Sequence, residues 1–277
     1  MNVNNEYQWL LSTILNDGDR ITTRNHNAIS DISGIGASFD HFPLVTLRKT
    51  AWKKAIREME WFMSGNSKCP DDLLDWWDGQ LNPNGCYYFG YSTQFRDFTG
   101  WESYFDQVAF VLNALKKHHN SRRIIMTTWH SEEMAKITEA NQNPNTPTCC
   151  HGTVIQFFVR NGKLSIHTYQ RSADMLLGVP HNWVQYWALL LYFAYHSSLE
   201  VGKLVWTFGD AHIYDDPSHL DCVKEILKDQ SSKDKPELIY NYSGEVDHVG
   251  LPAFKMSDFS IVGNIPKPVT TIKPKLF

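Results

Sequence analysis

The sequence predicts an α+β fold built as one domain over residues 1–277. Three observations predict it. Helix-like and strand-like patterns are mixed along the chain. Two β-rich stretches, GTVIQFFVR and KLSIHTYQR, are joined by Asn161-Gly162, a strong antiparallel hairpin signal. No internal repeat, low-complexity tract or linker divides the 277 residues, 42% of which are hydrophobic and able to bury a large core.

Taken in order, residues 7–16 (YQWLLSTILN) read as a short helix, followed by a polar loop, DGDRITTRNHN. FPLVTL reads as a strand end. AWKKAIREMEWFMSG has apolar residues near a helical period and closes on Gly65, a suitable C-cap. Residues 66–98, rich in Gly, Pro, Asn and aromatics, read as irregular. SYFDQVAFVLNALKKH is a second amphipathic helix, and RRIIMTTW is β-rich. After the hairpin, WVQYWALLLYFAYHSSL is apolar almost all round, which implies a buried helix. KLVWTFGDAHIY is a further strand.

Composition excludes several function classes. A net charge of −4 with pI ≈ 6.3 argues against a non-specific nucleic-acid binder. No apolar run reaches the roughly 18 residues of a membrane span, and the first residues lack the basic-then-apolar pattern of a signal peptide. Five cysteines, at 69, 86, 149, 150 and 222, form no CxxC pair, which points to reduced thiols in a cytoplasm. No Cys/His set has zinc-ligand spacing, so no metal is expected. The 10 Trp, 12 Tyr and 15 Phe suit both a core and a pocket for flat rings.

Chemistry-bearing residues concentrate in a few stretches. In YQRSADMLLGVPHNW, Arg171 and Ser172 suit an oxyanion, while Asp174 and Asn182 suit the edge of a polar heterocycle. In TPTCCHGTVIQFF, a cysteine ahead of a strand serves as a nucleophile if nearby arginines stabilise its thiolate; Arg122, Arg123 and Arg171 are available. The competing reading is a buried, inert thiol. GDAHIY puts His212 and Tyr214 two apart, on one face of a strand.

The order of motifs is more specific than any one of them. DR, FPLVT, RExEWF, SRRIIM, CCH, QFFVRNGKLS, YQRSAD, GVPHN, GDAHIY and the tail IVGNIPKPVTTIK together resemble the thymidylate synthase superfamily through most of the chain. The resemblance implies a large mixed β-sheet packed with helices that mediates a homodimer. It also implies a pyrimidine nucleoside monophosphate as substrate and 5,10-methylenetetrahydrofolate as one-carbon donor. Arg20 and Arg171 would hold the phosphate, with Ser172 adding a hydroxyl donor, and Arg122 and Arg123 would reach the phosphate bound by the partner subunit. His212 and Tyr214 would hold the sugar, Asp174 and Trp77 would meet the folate, Asn182 would read the base, and Glu58 would organise proton transfers. Counting back from Gln156, the family's nucleophile position falls on His151. One extra residue, a bulge ahead of the strand, assigns Cys150 and keeps a Cys-His pair; Cys149 is the fallback.

Two endings of the reaction stay open. GCYYFGY, IGASF and the added acid Glu60 depart from thymidylate synthases, and the latter two resemble phage deoxycytidylate hydroxymethylases. A carboxylate beside Glu58 would favour water over hydride, so hydroxymethylation of dUMP is expected, with Glu60 on a solvated helix face as the bland reading. The tail IPKPVTTIKPKLF instead resembles thymidylate synthases, whose product is the methyl derivative. Asn182 matches the O4 and N3–H edge of uracil, whereas the cytosine-using relatives carry Asp; dCMP or CMP is the alternative, and His181 beside it complicates the choice. A phage-encoded chain would act in the bacterial host cytoplasm. A non-catalytic nucleotide-binding homologue and a structural protein are the competing classes.

Overall fold

The computed structural model describes residues 2–23, 26–87, 90–98, 104–132, 135, 149–229 and 235–274. Tyr88 and Phe89 of GCYYFGY, Thr146–Thr148 ahead of the cysteine pair, and the last three residues of the tail lie outside them.

Helix α1 (Val3–Asp17) starts where the Asn2 side chain accepts from the Asn4 N–H, and it buries Tyr7, Leu10, Leu11 and Ile14 along one stripe. Three short strands follow, β1 (Asp19–Thr22), β2 (Asn27–Asp31) and β3 (Gly36–Phe39). Helix α2 (Trp52–Ser64) ends as expected on Gly65, whose φ of 78° is the left-handed cap conformation. Then come α3 (Tyr91–Arg96), α4 (Gln107–Lys117) and β4 (Ile125–Met126). The hairpin is β5 (Val154–Arg160) and β6 (Lys163–Asp174), turning through Asn161 and Gly162 at φ 52° and 75°. Positive φ at both positions is what the two-residue turn requires. The apolar segment is helix α5 (Val179–His196), followed by β7 (Glu200–Tyr214), α6 (Pro217–Lys228), β8 (Glu237–Tyr240) and β9 (Phe259–Val262).

Seven strands form one mixed sheet in the order β1-β2-β7-β6-β5-β4, with β3 also pairing with β7. The β6–β7 pair is parallel and the others are antiparallel. Strands β8 and β9 form a separate ribbon. Along β5 and β6, Ile155, Phe157, Leu164 and Ile166 face the core, where α5 packs. Their neighbours Val154 and Tyr169 face outward and are 41% and 39% exposed.

Three sequence expectations are corrected. FPLVTL is not a strand: Thr46 Oγ1 accepts from Asn4 Nδ2 at 2.8 Å and the Thr46 N–H donates to Asn4 Oδ1 at 3.0 Å, so the segment has a partner other than a sheet edge. RRIIMTTW is strand only at Ile125 and Met126, with further backbone hydrogen bonds at Ile124 and Thr128, while the Gln107 amide engages both backbone groups of Thr127. Within 66–98, the stretch read as irregular, a 3₁₀ turn (Asp71–Leu73) and α3 are ordered. Arg96 anchors α3 by pairing with Asp106 at 2.9 Å and Asp247 at 2.8 Å.

Candidate active site

The segment leading into β5 is irregular. Val154 faces Tyr169, yet the Arg171 N–H donates to the Cys150 carbonyl at 2.9 Å. Four residue steps therefore oppose two, so the segment carries two residues beyond regular pairing with β6. Gly152 takes up the turn at φ 64°, and a Cβ there would lie 2.0 Å from the Tyr186 hydroxyl. Cys149 is fully buried, and burial pushes its thiol far above the ordinary range, with Thr128 and Arg171 only partly offsetting it. Cys150 is half-buried, its Sγ 3.6 Å from Arg171 Nη2, and its N–H donates to Tyr91 Oη at 2.7 Å. Arg171 also donates through Nε to the Cys149 carbonyl at 3.0 Å. Its guanidinium is thus tied to the cysteine pair, and a cation at this distance favours a thiolate. His151 stacks on Tyr91 at 4.3 Å and pairs with Tyr186 at 3.1 Å. Burial lowers its pKa to about 3, so it is a neutral neighbour and not the cationic half of an ion pair.

A second group lies across the parallel β6–β7 pair, where Ser172 is opposite Asp210 and Asp174 opposite His212. Asp210 accepts from Ser30 Oγ at 2.8 Å and contacts His212 Nδ1 at 3.2 Å. Burial works against the His212 cation, but Asp210 and Asp174 outweigh it and raise the imidazole pKa. Tyr214 is pushed up to about 12, first by burial and then by Asp174, Cys150 and Asp210. Asp174 Oδ1 accepts from the N–H groups of Leu176 and Leu177 at 2.8 and 2.9 Å, which fixes the turn into α5.

A third group surrounds Glu58 on α2. Its carboxylate accepts from Trp77 Nε1 at 2.5 Å and from Gln185 Nε2. Burial raises its pKa to about 7, and these two donors limit the rise. Trp77, expected at the folate, is 6% exposed and is committed to Glu58. Asn182 is buried, accepting from Gln170 at 3.2 Å and donating to Gln185 at 3.1 Å. His181 has both ring nitrogens occupied: the Ala51 N–H donates to Nε2 at 3.0 Å and Nδ1 donates to the Leu177 carbonyl at 2.7 Å. It therefore has no ring nitrogen left to read a base. Glu60 accepts from the Met256 N–H at 2.9 Å and pairs with Arg57 at 3.2 Å. Its side chain is 20% exposed, and both carboxylate oxygens have partners.

The other candidate arginines lie apart in the fold. Arg20, on edge strand β1, is 70% exposed and pairs with Asp215 at 2.5 Å. Arg122 and Arg123 are exposed beside β4, at the opposite edge, and among the described residues neither forms an ion pair. Arg48 has a buried Nη1 without a hydrogen-bond partner.

The thymidylate synthase family profile matches residues 5–275. The chain belongs to the thymidylate synthase family. A thymidylate synthase of Corynebacterium aurimucosum is 33% identical over 283 residues, which cover 98% of this chain and 96% of that protein. The thymidylate synthase family uses 5,10-methylenetetrahydrofolate in one-carbon transfer to a pyrimidine nucleotide, so the expected cofactor and reaction class hold. For this thymidylate synthase family chain, no helix among the described residues is long and apolar enough to cross a membrane. Sequence reasoning missed Tyr91, which holds the cysteine backbone, the amides Gln170 and Gln185, and Arg48. Their only sequence signal is residue type, which gives no sign of who meets whom.

Proposed function

We propose that the chain methylates dUMP reductively at C5, with Cys150 as nucleophile. The observation that carries this reading is the half-buried Cys150 Sγ held 3.6 Å from the Arg171 guanidinium. The thiolate forms a bond to C6 of the ring, and the displaced electron pair moves toward O4 and makes C5 nucleophilic. Stabilising that enolate is the main electrostatic task of the site. When the new carbon is in place, the C5 proton departs and its electron pair would release that carbon from the donor; the hydride that the donor would then supply makes the methyl group and returns the pair that expels Cys150. Glu58, with a pKa of about 7, is suited to hold and pass such protons near neutrality. Arg20, Arg171 and Ser172 hold the phosphate, and His212 and Tyr214 the sugar hydroxyl.

Asn182 selects the base. With Oδ1 accepting from Gln170 and Nδ2 donating to Gln185, one amide hydrogen and one lone pair remain. That pair of groups complements O4 and N3–H of uracil, which supports dUMP over dCMP or CMP.

The residues present fit the folate. Asp174 uses Oδ1 on the α5 turn and keeps Oδ2 for the pterin edge, and the orphaned Arg48 Nη1 suits an anionic carboxylate. Methylenetetrahydrofolate, when bound, supplies the one-carbon unit and the hydride for the methyl product. Reduction is favoured over hydration because Glu60, the acid that argued for an ordered water, is engaged by Met256 and Arg57. The described part of the tail also lies against the body of the chain, with the Val269 N–H donating to the Leu47 carbonyl at 3.0 Å.

The active unit is a homodimer built on the outward sheet face that carries Val154 and Tyr169. Arg20 and Arg122 flank opposite edges, five strand spacings apart, or about 24 Å at the usual sheet spacing. One phosphate cannot meet both within a chain, but Arg122 and Arg123 of a second copy are free to reach it. The test of the reaction is product mass after incubation with dUMP and methylenetetrahydrofolate. A methyl product is expected; an added oxygen identifies hydroxymethylation, and binding without any release of the C5 hydrogen identifies a non-catalytic homologue.

A further inference from the structure

A chain of buried side chains gives a role to Gln185, a fully buried residue of α5. An indole N–H can only donate, and a backbone carbonyl can only accept. Trp206 Nε1 donates to Gln170 Oε1 at 3.1 Å, so Gln170 turns Nε2 toward the Ser172 carbonyl at 3.0 Å and Asn182 Oδ1 at 3.2 Å. Asn182 must then donate through Nδ2, and it does so to Gln185 Oε1 at 3.1 Å. Gln185 in turn donates through Nε2 to Glu58, whose other oxygen accepts from Trp77. Donor-only indoles stand at both ends, so every amide direction is determined. The order closes only while Glu58 accepts on both oxygens.

We infer that Gln185 is a positioning residue that couples selection of the base by Asn182 to proton handling by Glu58. The inference rests on the reading of Asn182 and Glu58 given above. Among the described residues, Trp77 and Gln185 donate to the Glu58 carboxyl and the Cys69 thiol lies near enough to feel its charge; none of them carries a positive charge to replace the Gln185 donor. Loss of that donor therefore acts directly on Glu58, and loss of the Oε1 acceptor acts directly on Asn182.

Two substitutions separate the two ends. Gln185→Leu removes both. Gln185→Glu keeps the shape and an acceptor facing Asn182, but sets a second carboxyl against Glu58, so that the pair must share a proton. The measurements are kcat/KM for dUMP and dCMP, the pH profile of C5-hydrogen release, and thermal melting. In Gln185→Leu the preference for dUMP should fall about tenfold, because Asn182 is left with an unpaired donor and can rotate. In Gln185→Glu the preference should persist while the pH inflection moves upward. A residue that merely fills space would lower both nucleotides by one factor and leave the inflection in place, and that result overturns the coupling. If Gln185→Leu does not fold, the isosteric Gln185→Glu decides through its inflection alone. A wild type without preference for dUMP removes the base-reading assignment itself, and shows this before any substitution is made.

Discussion

Cys149 and Cys150 are one peptide bond apart and chemically identical, yet their surroundings separate them. Cys149 is enclosed, and burial opposes its ionisation. Cys150 is partly open and lies beside Arg171. Cys150→Ser should abolish turnover and C5-hydrogen exchange while nucleotide binding survives, since the substitution leaves the guanidinium and hydroxyl donors proposed for the phosphate in place. Cys149→Ser should keep turnover within about tenfold, with its cost appearing as stability through a buried polar change. Steady-state rates, exchange assays and melting of both variants check the pair; activity retained in Cys150→Ser and lost in Cys149→Ser would reverse the assignment. Glu58 offers a pH test. Its folded pKa of about 7 lies above the ordinary carboxylate range, so it is protonated below neutrality and ionised above. The rate of C5-hydrogen release should therefore rise as pH climbs through about 7, and Glu58→Gln should remove that inflection. The same shift works against the fold in the opposite sense: stability contributed by the neutral carboxyl is lost as pH rises from the unfolded value through 7.

The hairpin β5–β6 and the loop ahead of it behave differently under sequence reading. Asn161-Gly162 announced its turn because only a few residues accept positive φ at both positions. The loop from Cys150 to Val154 announced only that the register was wrong, since counting from Gln156 reached His151. Its two surplus residues are accommodated by contacts with Tyr91 and Tyr186 on α3 and α5, remote in sequence. Gly152 is the pivot, at φ 64° and with Tyr186 Oη 2.0 Å from any added Cβ. Gly152→Ala should cost about 1–3 kcal/mol in stability, the range for a strained backbone conformation. It should also cost more than tenfold in kcat, because the loop shifts Cys150 away from Arg171. Melting temperature and kcat measured together test this; unchanged kcat would show that the loop does not position the thiol.

At the scale of the whole molecule, the separation of Arg20 from Arg122 and Arg123 supports the proposed second chain. Mixing inactive Arg123→Ala with inactive Cys150→Ser subunits should restore activity, because each heterodimer rebuilds one intact site. Up to about a quarter of wild-type activity is expected when half the dimers are mixed and each has one of two sites. No recovery despite demonstrated subunit exchange would show that each site is completed within one chain. The outward sheet face with Val154 and Tyr169 is the surface to disrupt, and a charged substitution such as Val154→Asp should yield monomers by sedimentation.

The sequence by itself determined the α+β class, the hairpin, the buried helix α5 and the family, because these rest on periodicity, turn chemistry and ordered motifs that are local in the chain. It also supplied the residue types of the site. Tertiary structure alone decided what those residues do for one another. The Asn4 side chain, some forty residues away, denied FPLVTL a strand partner. Met256 and Arg57 engaged Glu60, and Ala51 and Leu177 engaged His181, so two apparent candidates have their polar atoms spoken for. The Trp206–Gln170–Asn182–Gln185–Glu58 chain draws on α2, β6, α5 and β7. Hydrogen-bond direction is a property of pairs, and a pair exists only once the chain has brought distant donors and acceptors within about 3 Å of each other.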